Sequence, residues 1–269
     1  MKATDAIAKA LFGFYFVAFF LYLFAPLAIM GAATFNESRF PTITPWQGTT
    51  LQWFSALWAD RAMWQALGTS LIVAFFVVLV CLPVGTAAAL VLTSLHARAR
   101  SFAYGLMVSP LLAPGVVIGI ATLILWREIG VGGGIFLIVV AQSSFIICYV
   151  MLMVAARLQR FDRTQEEAAL GLGASKFMVF RRILLPFLKP ALIAAGLLAV
   201  LQSFENYNTT LFVRGFDTPL TVHIATQVRT GLTPAVNALA LVMIAVTVLG
   251  ATAFEIARRR RERASADGA

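Results

Sequence analysis

The sequence predicts an all-α membrane protein with six transmembrane helices, and three observations support this prediction. Of the 269 residues, 60% are hydrophobic and 12% are charged, whereas a soluble domain is roughly 45–50% apolar and about 25% charged. Six apolar runs have about the length that a helix needs to cross a hydrocarbon core of about 30 Å. Lysine and arginine are concentrated after alternate runs, which is the pattern that orients a membrane protein.

The six predicted spans follow one another along the whole chain. They are Ala10–Ala33, Ala66–Leu92, Phe102–Trp126, Gly134–Ala156, Pro190–Phe204 and Ala235–Ile256. The first span is longer than the roughly 7–15 apolar residues of a cleavable signal peptide, and no small-residue cleavage site follows it. We therefore expect it to remain in the protein as a helix.

The basic residues predict the orientation in the membrane. Five of the 21 would lie outside, namely Arg39, Arg61, Arg127, Arg214 and Arg229, and the other 16 would lie inside. Because basic loops stay in the cytoplasm, both termini of this multi-pass membrane protein are expected there. The run Arg258–Arg263 fits an anchor on the inner surface, with lipid sensing as the alternative. This distribution argues against nucleic-acid binding, despite a net charge of +9.

No catalytic or metal centre is indicated. His96 and His223 fall in different loops, and Cys81 and Cys148 both lie inside apolar runs. The patterns of a nucleotide-binding P-loop, an H-E-x-x-H zinc site and a G-x-S-x-G nucleophile elbow do not occur. A membrane enzyme therefore has no support, and we expect no metal and no cofactor in this chain.

Two connecting loops are long. The loop at residues 34–65 would lie outside, and it carries Trp46, Trp53, Trp58 and Trp64. Since tryptophan favours the membrane interface, we expect this loop to lie along the outer surface. The loop at residues 157–189 would lie inside.

The inner loop predicts a short exposed helix. Thr164 and Glu167 have the spacing of a capping box, and Gly171 and Gly173 would end the helix. An amphipathic segment follows, and Pro186 and Pro190 would mark the entry to the fifth span. A small helix with an apolar face suits docking in a partner's groove, although a solvated connector is the alternative.

The inner loop resembles a known family. It matches every fixed position of the EAA loop in permeases of ABC importers. The matching residues are Glu167-Ala168-Ala169, then Gly173 after three residues, Ile183 after nine more, and Leu185-Pro186 after one more. The resemblance implies a type I ABC importer permease fold, with residues 1–269 forming one transmembrane permease domain. It also implies that the loop carries the coupling helix, which docks on an ATP-hydrolysing subunit. The coupling residues would be Glu166, Glu167, Ala168, Ala169, Leu170, Gly173, Leu185 and Pro186.

The same resemblance implies the partners. Two ATPase copies would bind ATP and magnesium, a second homologous permease would complete the pathway, and an extracytoplasmic protein would deliver a small-molecule substrate. Membrane lipid would surround the assembly, which the resemblance places in the bacterial cell (inner) membrane. ATP binding would open the pathway outward, and hydrolysis would return it to the inward-facing state.

The polar end of the fifth span is the candidate substrate site. Apart from Glu255 at the inner end of the sixth span, Glu205 is the only acidic residue near a span interior. A charge at the bilayer centre costs about 2.5–3.5 kcal/mol, so the position of this carboxylate has to be explained. Either Glu205 lies at the outer interface or pairs with a cation such as Arg214, or it lines a wet pathway and attracts a cationic substrate.

This segment also resembles the permeases of polyamine (spermidine/putrescine) importers. The stretch at residues 203–207, followed by Thr210-Leu211-Phe212-Val213-Arg214-Gly215, looks like the end of their fifth helix. Those permeases have two adjacent acids where this chain has Glu205-Asn206. A polyamine or other organic cation is therefore the implied cargo. The alternatives are an amino acid, an opine, a phosphonate or a thiamine-like compound, or a stand-alone channel or membrane scaffold.

Two prolines complete the predicted pathway. Pro110 and Pro114 lie four residues apart in the third span and predict a kink, which would serve either helix packing or a gate. The residues expected along the substrate pathway are Gln202, Ser203, Glu205, Asn206, Tyr207, Asn208, Pro110 and Pro114.

Overall fold

The structure is a computed structural model that describes residues 2–231 and 233–266. The elements of this part of the chain are mainly helices. In order they are α1 (Lys2–Thr34), α2 (Gln52–Ala59), α3 (Arg61–Ser94), α4 (Ala97–Leu112), α5 (Gly115–Glu128), α6 (Ile135–Leu158), α7 (Thr164–Gly171), α8 (Lys176–Val179), a π-helical turn (Phe180–Leu184), α9 (Leu185–Glu205), α10 (Thr210–Val213), α11 (Leu220–Thr230) and α12 (Pro234–Ala266). The all-α prediction is confirmed.

Four helical stretches of the described residues are long and apolar enough to cross a membrane. They are Leu11–Thr34, Arg61–Ser94, Ile135–Leu158 and Lys176–Glu205. The bent pair of α4 and α5 would make a fifth span if the two helices cross together, and Pro234–Gly250 is a shorter apolar stretch. The first and second predicted spans therefore lie within α1 and α3, and the fourth begins one residue before α6 and otherwise lies within it.

The third predicted span is not one continuous helix. It is divided into α4 and α5, which are bent by 97°. The break lies at Ala113 and Pro114, whose backbones are both extended. A residue before proline avoids the helical region because of the proline ring, so this sequence favours a break over the simple kink that we expected.

The start of the fifth predicted span is wrong. The helical stretch runs from Lys176 to Glu205 and continues through Pro186 and Pro190, which we took as its entry. The π-helical turn at Phe180–Leu184 comes directly before the first of these prolines. Proline has no backbone N–H to donate to an earlier carbonyl. The wider π-helical turn alters the hydrogen bonding just before Pro186, and the helix continues past this proline.

Residues 1–61 and 226–269 form one compact unit. In it, α12 contacts both α1 and α2. The loop between α1 and α2 is organised by the buried Asn36, whose Nδ2 donates to the carbonyl oxygens of Thr42 (2.9 Å) and Pro45 (3.1 Å). Of the run Arg258–Arg263, the structure describes only the side chain of Arg259, which donates to Glu255 (2.7 Å). The anchor prediction for the other arginines lies outside the described side chains.

Residues 62–225 form the second compact unit, which contains both candidate sites. Helix α6 is central to it and contacts α4, α5, α9 and α10. Its buried side chains, among them Ile138, Ile146 and Val154, pack with Val77 of α3 and Leu188 of α9. The polar groups described next are therefore held by an apolar core.

Candidate functional site

A cavity of about 260 Å³ lies between the break of α4 and α5 and the end of α9. Helix α6 contributes a third wall. The residues around this cavity, which we call the pathway cavity, are Pro110, Leu111, Ala113, Gly115, Ile118, Phe145, Tyr149, Gln202, Glu205, Asn206, Tyr207, Asn208 and Thr209.

The polar wall of the pathway cavity forms where α9 ends. Asn206 has an extended backbone (φ −74°, ψ 95°), which stops the helix. Its Oδ1 then accepts the backbone N–H groups of Thr209 (3.2 Å) and Thr210 (3.3 Å). A side-chain oxygen that accepts the free N–H groups of the next helix is a typical cap, so Asn206 ends α9 and supports the start of α10.

Close packing holds the opposite wall in place. A Cβ on Gly115 would lie 2.9 Å from Thr209 Oγ1, and one on Gly119 would lie 2.6 Å from the Thr209 carbonyl oxygen. Glycines four residues apart share one face of a helix and let another backbone approach closely. Helix α5 therefore lies directly against the turn that follows α9.

A network of polar side chains connects Asn206 on the cavity wall with three buried residues behind it. Ser203 Oγ donates to Gln142 Oε1 (2.6 Å), and Gln142 Nε2 donates to Thr210 Oγ1 (2.8 Å). Thr210 Oγ1 in turn donates to Asn206 Oδ1 (3.3 Å). The four residues are called the Gln142 network below, and they connect α6, the end of α9 and the start of α10.

The structure brings most of the residues predicted for the pathway together. Pro110, Gln202, Glu205, Asn206, Tyr207 and Asn208 all line the cavity. Ser203 is buried behind it, and Pro114 forms the helix break without lining the cavity. Their roles in transport stay predictions.

The side chain of Glu205 is exposed and lines the pathway cavity. Arg214, the cation considered as its partner, donates instead to the Thr218 hydroxyl (2.7 Å). Among the described residues, no ion pair connects Arg214 with Glu205. The Glu205 carboxylate is therefore accessible to a solute in the cavity.

The sequence prediction missed several cavity residues. Phe145 and Tyr149 are four residues apart in α6 and share one face, so helical spacing links them once either is known. Ile118 gave no such signal, because a straight third span would place it roughly 12 Å from Pro110 along the helix axis. Only the bend of 97° brings these two positions to one cavity.

The inner loop contains the short helix α7, which begins at Thr164 and ends at Gly171. The backbone N–H of Gly173 donates to Leu170, and that of Ala174 donates to Ala169 (both 3.0 Å). This pair of bonds is a Schellman motif, and it needs a left-handed residue at Gly173, where φ is +84°. Glu167, Ala168 and Leu170 are exposed on the helix, and Leu172 behind it is 90% exposed.

The contact at the start of α7 differs from the capping box that we predicted. Asp162 Oδ1 accepts the Thr164 hydroxyl (2.8 Å) and the Thr164 backbone N–H (3.0 Å). These hydrogen bonds, the hydroxyl bond first, lower the pKa of Asp162 below its ordinary value. Thr164 thus acts as a donor to Asp162, because an aspartate two residues earlier offers a stronger acceptor.

Aromatic and arginine contacts connect this loop to the long helices. Arg157 Nε, at the end of α6, donates to the Phe187 carbonyl oxygen (3.2 Å), and its guanidinium lies 4.2 Å from the centre of the Phe187 ring. Phe161 packs on the same ring at 5.1 Å. Arg163 donates to the Thr93 carbonyl oxygen of α3 (3.0 Å). The ends of the loop are therefore fixed while its centre is exposed.

Residues 81–263 match a family described as the binding-protein-dependent transport system inner membrane component. The matched region includes every residue that lines the pathway cavity. It also includes the whole inner loop at residues 157–189, which carries α7 and is called the α7 loop below. The chain belongs to this family. It is a membrane-spanning permease subunit of a bacterial ABC importer, a class in which a separate subunit hydrolyses ATP.

Two curated relatives cover almost the whole permease. It is 31% identical over 254 residues to the spermidine/putrescine transport system permease protein PotC of Escherichia coli strain K12, with 94% of this chain and 96% of the relative covered. It is 34% identical to the putrescine transport system permease protein PotI of the same strain, with 91% and 90% covered.

A solved structure shows the same fold. A chain of a bacterial ABC transporter involved in the import of the acidic polysaccharide alginate superposes with a TM-score of 0.73. The two chains are 16% identical, and the match covers 94% of the permease and 97% of that chain. Among the described residues of the permease, no three His, Cys, Asp or Glu side chains are grouped to hold a metal ion.

Proposed function

We propose that the permease forms half of the translocation pathway for a polyamine or another small organic cation. The observation that carries this proposal is the exposed Glu205 carboxylate in the pathway cavity, which has no ion-pair partner among the described residues. The names of the relatives, spermidine/putrescine for PotC and putrescine for PotI, support the same class of cargo.

The cavity suits a small cation in size and chemistry. Its volume of about 260 Å³ is just below the roughly 300–1,000 Å³ of pockets for drug-sized ligands. Glu205 supplies a negative charge, while the rings of Tyr149 and Tyr207 offer faces that attract cations. Gln202 and Asn208 add amide groups that bind neutral polar atoms.

A zwitterion is the second candidate cargo, and Asn206 is the observation that favours it. Its Oδ1 is occupied by the hydrogen bonds from Thr209 and Thr210, so it adds no free carboxylate-like acceptor for a second ammonium group. The cavity thus offers one negative charge, which also suits an amino acid, an opine or a thiamine-like compound. An anionic phosphonate fits the charge of Glu205 poorly, and a stand-alone channel or scaffold would not need the α7 loop.

The proposed topology has six spans with both termini in the cytoplasm of a cell with an inner membrane. The bent pair α4–α5 and helix α12 would supply the third and sixth spans. This arrangement follows the charge distribution, in which 16 of 21 basic residues fall on the inner side.

The proposed assembly contains a second permease, two ATPase subunits and an extracytoplasmic binding protein, within membrane lipid. The ATPase subunits bind ATP and magnesium and contact the α7 loop. The exposure of Glu167, Ala168 and Leu170 supports such a contact, because these residues have no cover in the described chain. The other proposed coupling residues are Glu166, Ala169, Gly173, Leu185 and Pro186.

In the proposed mechanism, ATP binding closes the ATPase subunits and moves the α7 loops of the two permeases together. The fixed ends of the loop pass this movement to α6 and α9, because Arg157 and Phe161 both contact Phe187 of α9. The cavity at the other end of α9 then opens outward to receive the substrate, and hydrolysis resets it inward.

The test uses the full complex in proteoliposomes, with its binding protein, and measures ATP hydrolysis. Putrescine, spermidine, an amino acid and a phosphonate are added in turn. Stimulation by the polyamines alone is the expected result. Stimulation by the zwitterion or by the anion alone would overturn the polyamine proposal, and hydrolysis-independent flux would overturn the importer mechanism.

A further inference from the structure

We propose that Gln142 is a positioning residue that sets the orientation of Glu205 in the pathway cavity. The inference rests on the proposed function, because it assigns how the proposed cation site is held. Gln142 does not line the cavity and is only 1% exposed. It acts through Ser203 and Thr210, which flank the polar wall in sequence.

The hydrogen bonds of the Gln142 network run in one direction. Ser203 donates to Gln142, Gln142 donates to Thr210, and Thr210 donates to Asn206. If the Gln142 amide were reversed, Thr210 would have to donate to Gln142, and its hydroxyl proton would no longer reach Asn206. The network therefore satisfies these side-chain groups in one donor-to-acceptor order, and this order connects α6, the end of α9 and the start of α10.

This arrangement restrains the backbone that carries Glu205. Glu205 lies between Ser203 and Asn206 in sequence, at the last position of α9. On one side, Ser203 is bonded to Gln142, and on the other, Asn206 is held by Thr209 and Thr210. With both flanks fixed to α6 and α10, the backbone of Glu205 has a defined position on the cavity wall, from which its carboxylate reaches the cavity.

The surroundings make the network sensitive to single substitutions. Ser203, Gln142 and Thr210 are all buried, and the same stretch of α6 contributes Ile138, Ala141 and Ile146 to the apolar core. A buried polar group that loses its partner cannot bind water instead, so loss of one link destabilises the arrangement of the others. The side chains of the network should therefore act as a unit.

The experiment measures substrate imported per ATP hydrolysed by the full complex in proteoliposomes, with binding protein saturated with putrescine. The main variant is Thr210→Val, which keeps the shape of the side chain and removes the hydroxyl. We expect the ratio to fall about fivefold, the factor that corresponds to one net hydrogen bond. Thr210→Ser retains the hydroxyl and should restore the wild-type ratio.

Gln142→Leu is the second variant and should lower the ratio similarly, whereas Gln142→Leu combined with Thr210→Val should add little further loss. Ser144→Ala is the matched control on α6, because the Ser144 hydroxyl donates to the Ala141 carbonyl of its own helix and takes no part in the Gln142 network. A purely structural role would reduce the amount of folded complex, and it would lower import and hydrolysis together without changing their ratio.

The last comparison uses Glu205→Gln as the background. If Gln142 acts by positioning Glu205, Thr210→Val has little further effect on the ratio in that background. The inference is overturned if Thr210→Val keeps the wild-type ratio, or if its full fivefold effect persists with Glu205→Gln. A Glu205→Gln variant with an unchanged ratio would instead refute the proposed cation site itself.

Discussion

Helix α7 is closed by Gly173 in a left-handed backbone and exposes Leu170 and Leu172, whereas α9 is closed by Asn206, which belongs to the Gln142 network. In the loop that carries α7, the residues that match the family pattern lie within 20 consecutive positions. The pathway cavity is instead lined by four helices and the turn after α9. The difference indicates that backbone conformation controls the loop, whereas packing and buried hydrogen bonds control the cavity.

The largest effect should come from overpacking the cavity wall with Gly119→Ala. The new Cβ would lie 2.6 Å from the Thr209 carbonyl oxygen, and overpacking costs typically about 1–3 kcal/mol. Thermal unfolding of the purified complex should therefore shift down by several degrees. Gly105→Ala in α4 is the control, because no other atom lies within 4 Å of its Cβ position. Equal stability of the two variants would contradict the close approach of α5 to Thr209.

The next largest effect should come from Gly173→Ala in the α7 loop. A left-handed residue other than glycine costs roughly 1–2 kcal/mol, which lowers the ratio of native to non-native loop conformers by about 5–30-fold. Import should therefore fall while the ATPase subunits keep their own hydrolysis. Gly171→Ala is the matched control, since Gly171 is helical and its Cβ position is open. An equal loss of import in both alanine variants would contradict the requirement for a left-handed backbone at Gly173.

Asn206→Asp separates the two roles of the cavity wall, capping and charge. An aspartate can accept the same hydrogen bonds from Thr209 and Thr210, so α9 should still end at this position. The second carboxylate beside Glu205 should raise import of a dication per ATP by up to about fivefold, the upper range for an exposed ion pair. Asn206→Ala removes the cap and should lower import of every cargo. A loss of dication import in the aspartate variant would rule out a cation site here.

The smallest effect concerns the start of α7. The pKa of Asp162 is lower in the folded chain than the ordinary value of about 3.9. Its hydrogen bonds therefore stabilise the loop above that pH, and the contribution is lost as pH falls through the folded-state pKa. Thr164→Val removes the hydroxyl donor and should raise this pKa, as measured by carbon NMR titration of a labelled Asp162. Thr164→Ser should leave the pKa low, and an unchanged pKa in the valine variant would contradict the assigned contact.

Features that depend only on residues close together in the sequence are predicted well. The two ends of α7 follow from local signals, and the match at Glu167–Pro186 identifies the family without any knowledge of packing. The predicted capping box is wrong because the Thr164 hydroxyl donates to Asp162, and the Glu167 N–H that it was expected to cap donates to the Arg163 carbonyl oxygen. The fifth span begins earlier than expected because a π-helical turn accommodates Pro186.

The cavity could be predicted only in part, because it depends on how separate helices meet. Glu205 and its neighbours stand out as polar residues in an apolar run. Ile118 becomes a neighbour only through the bend between α4 and α5, and Gln142 acquires its importance only from its bonds to α9 and α10. The bend has no short-range pattern in the sequence, and a polar Gln142 inside an apolar span favours a hydrogen bond to another helix without showing which helix it is.

The most direct test of the cation site is to compare Glu205→Gln with Glu205→Asp in the reconstituted complex. Import per ATP is measured for putrescine and for a zwitterionic amino acid, each with a binding protein that delivers it. The account predicts that the glutamine variant lowers putrescine import at least about tenfold, in line with losing a hydrogen bond to a charged group, which is worth about 1.5–3 kcal/mol, while the aspartate variant retains most of it. Equal putrescine import by the wild type and the glutamine variant would contradict the claim that Glu205 attracts the cargo.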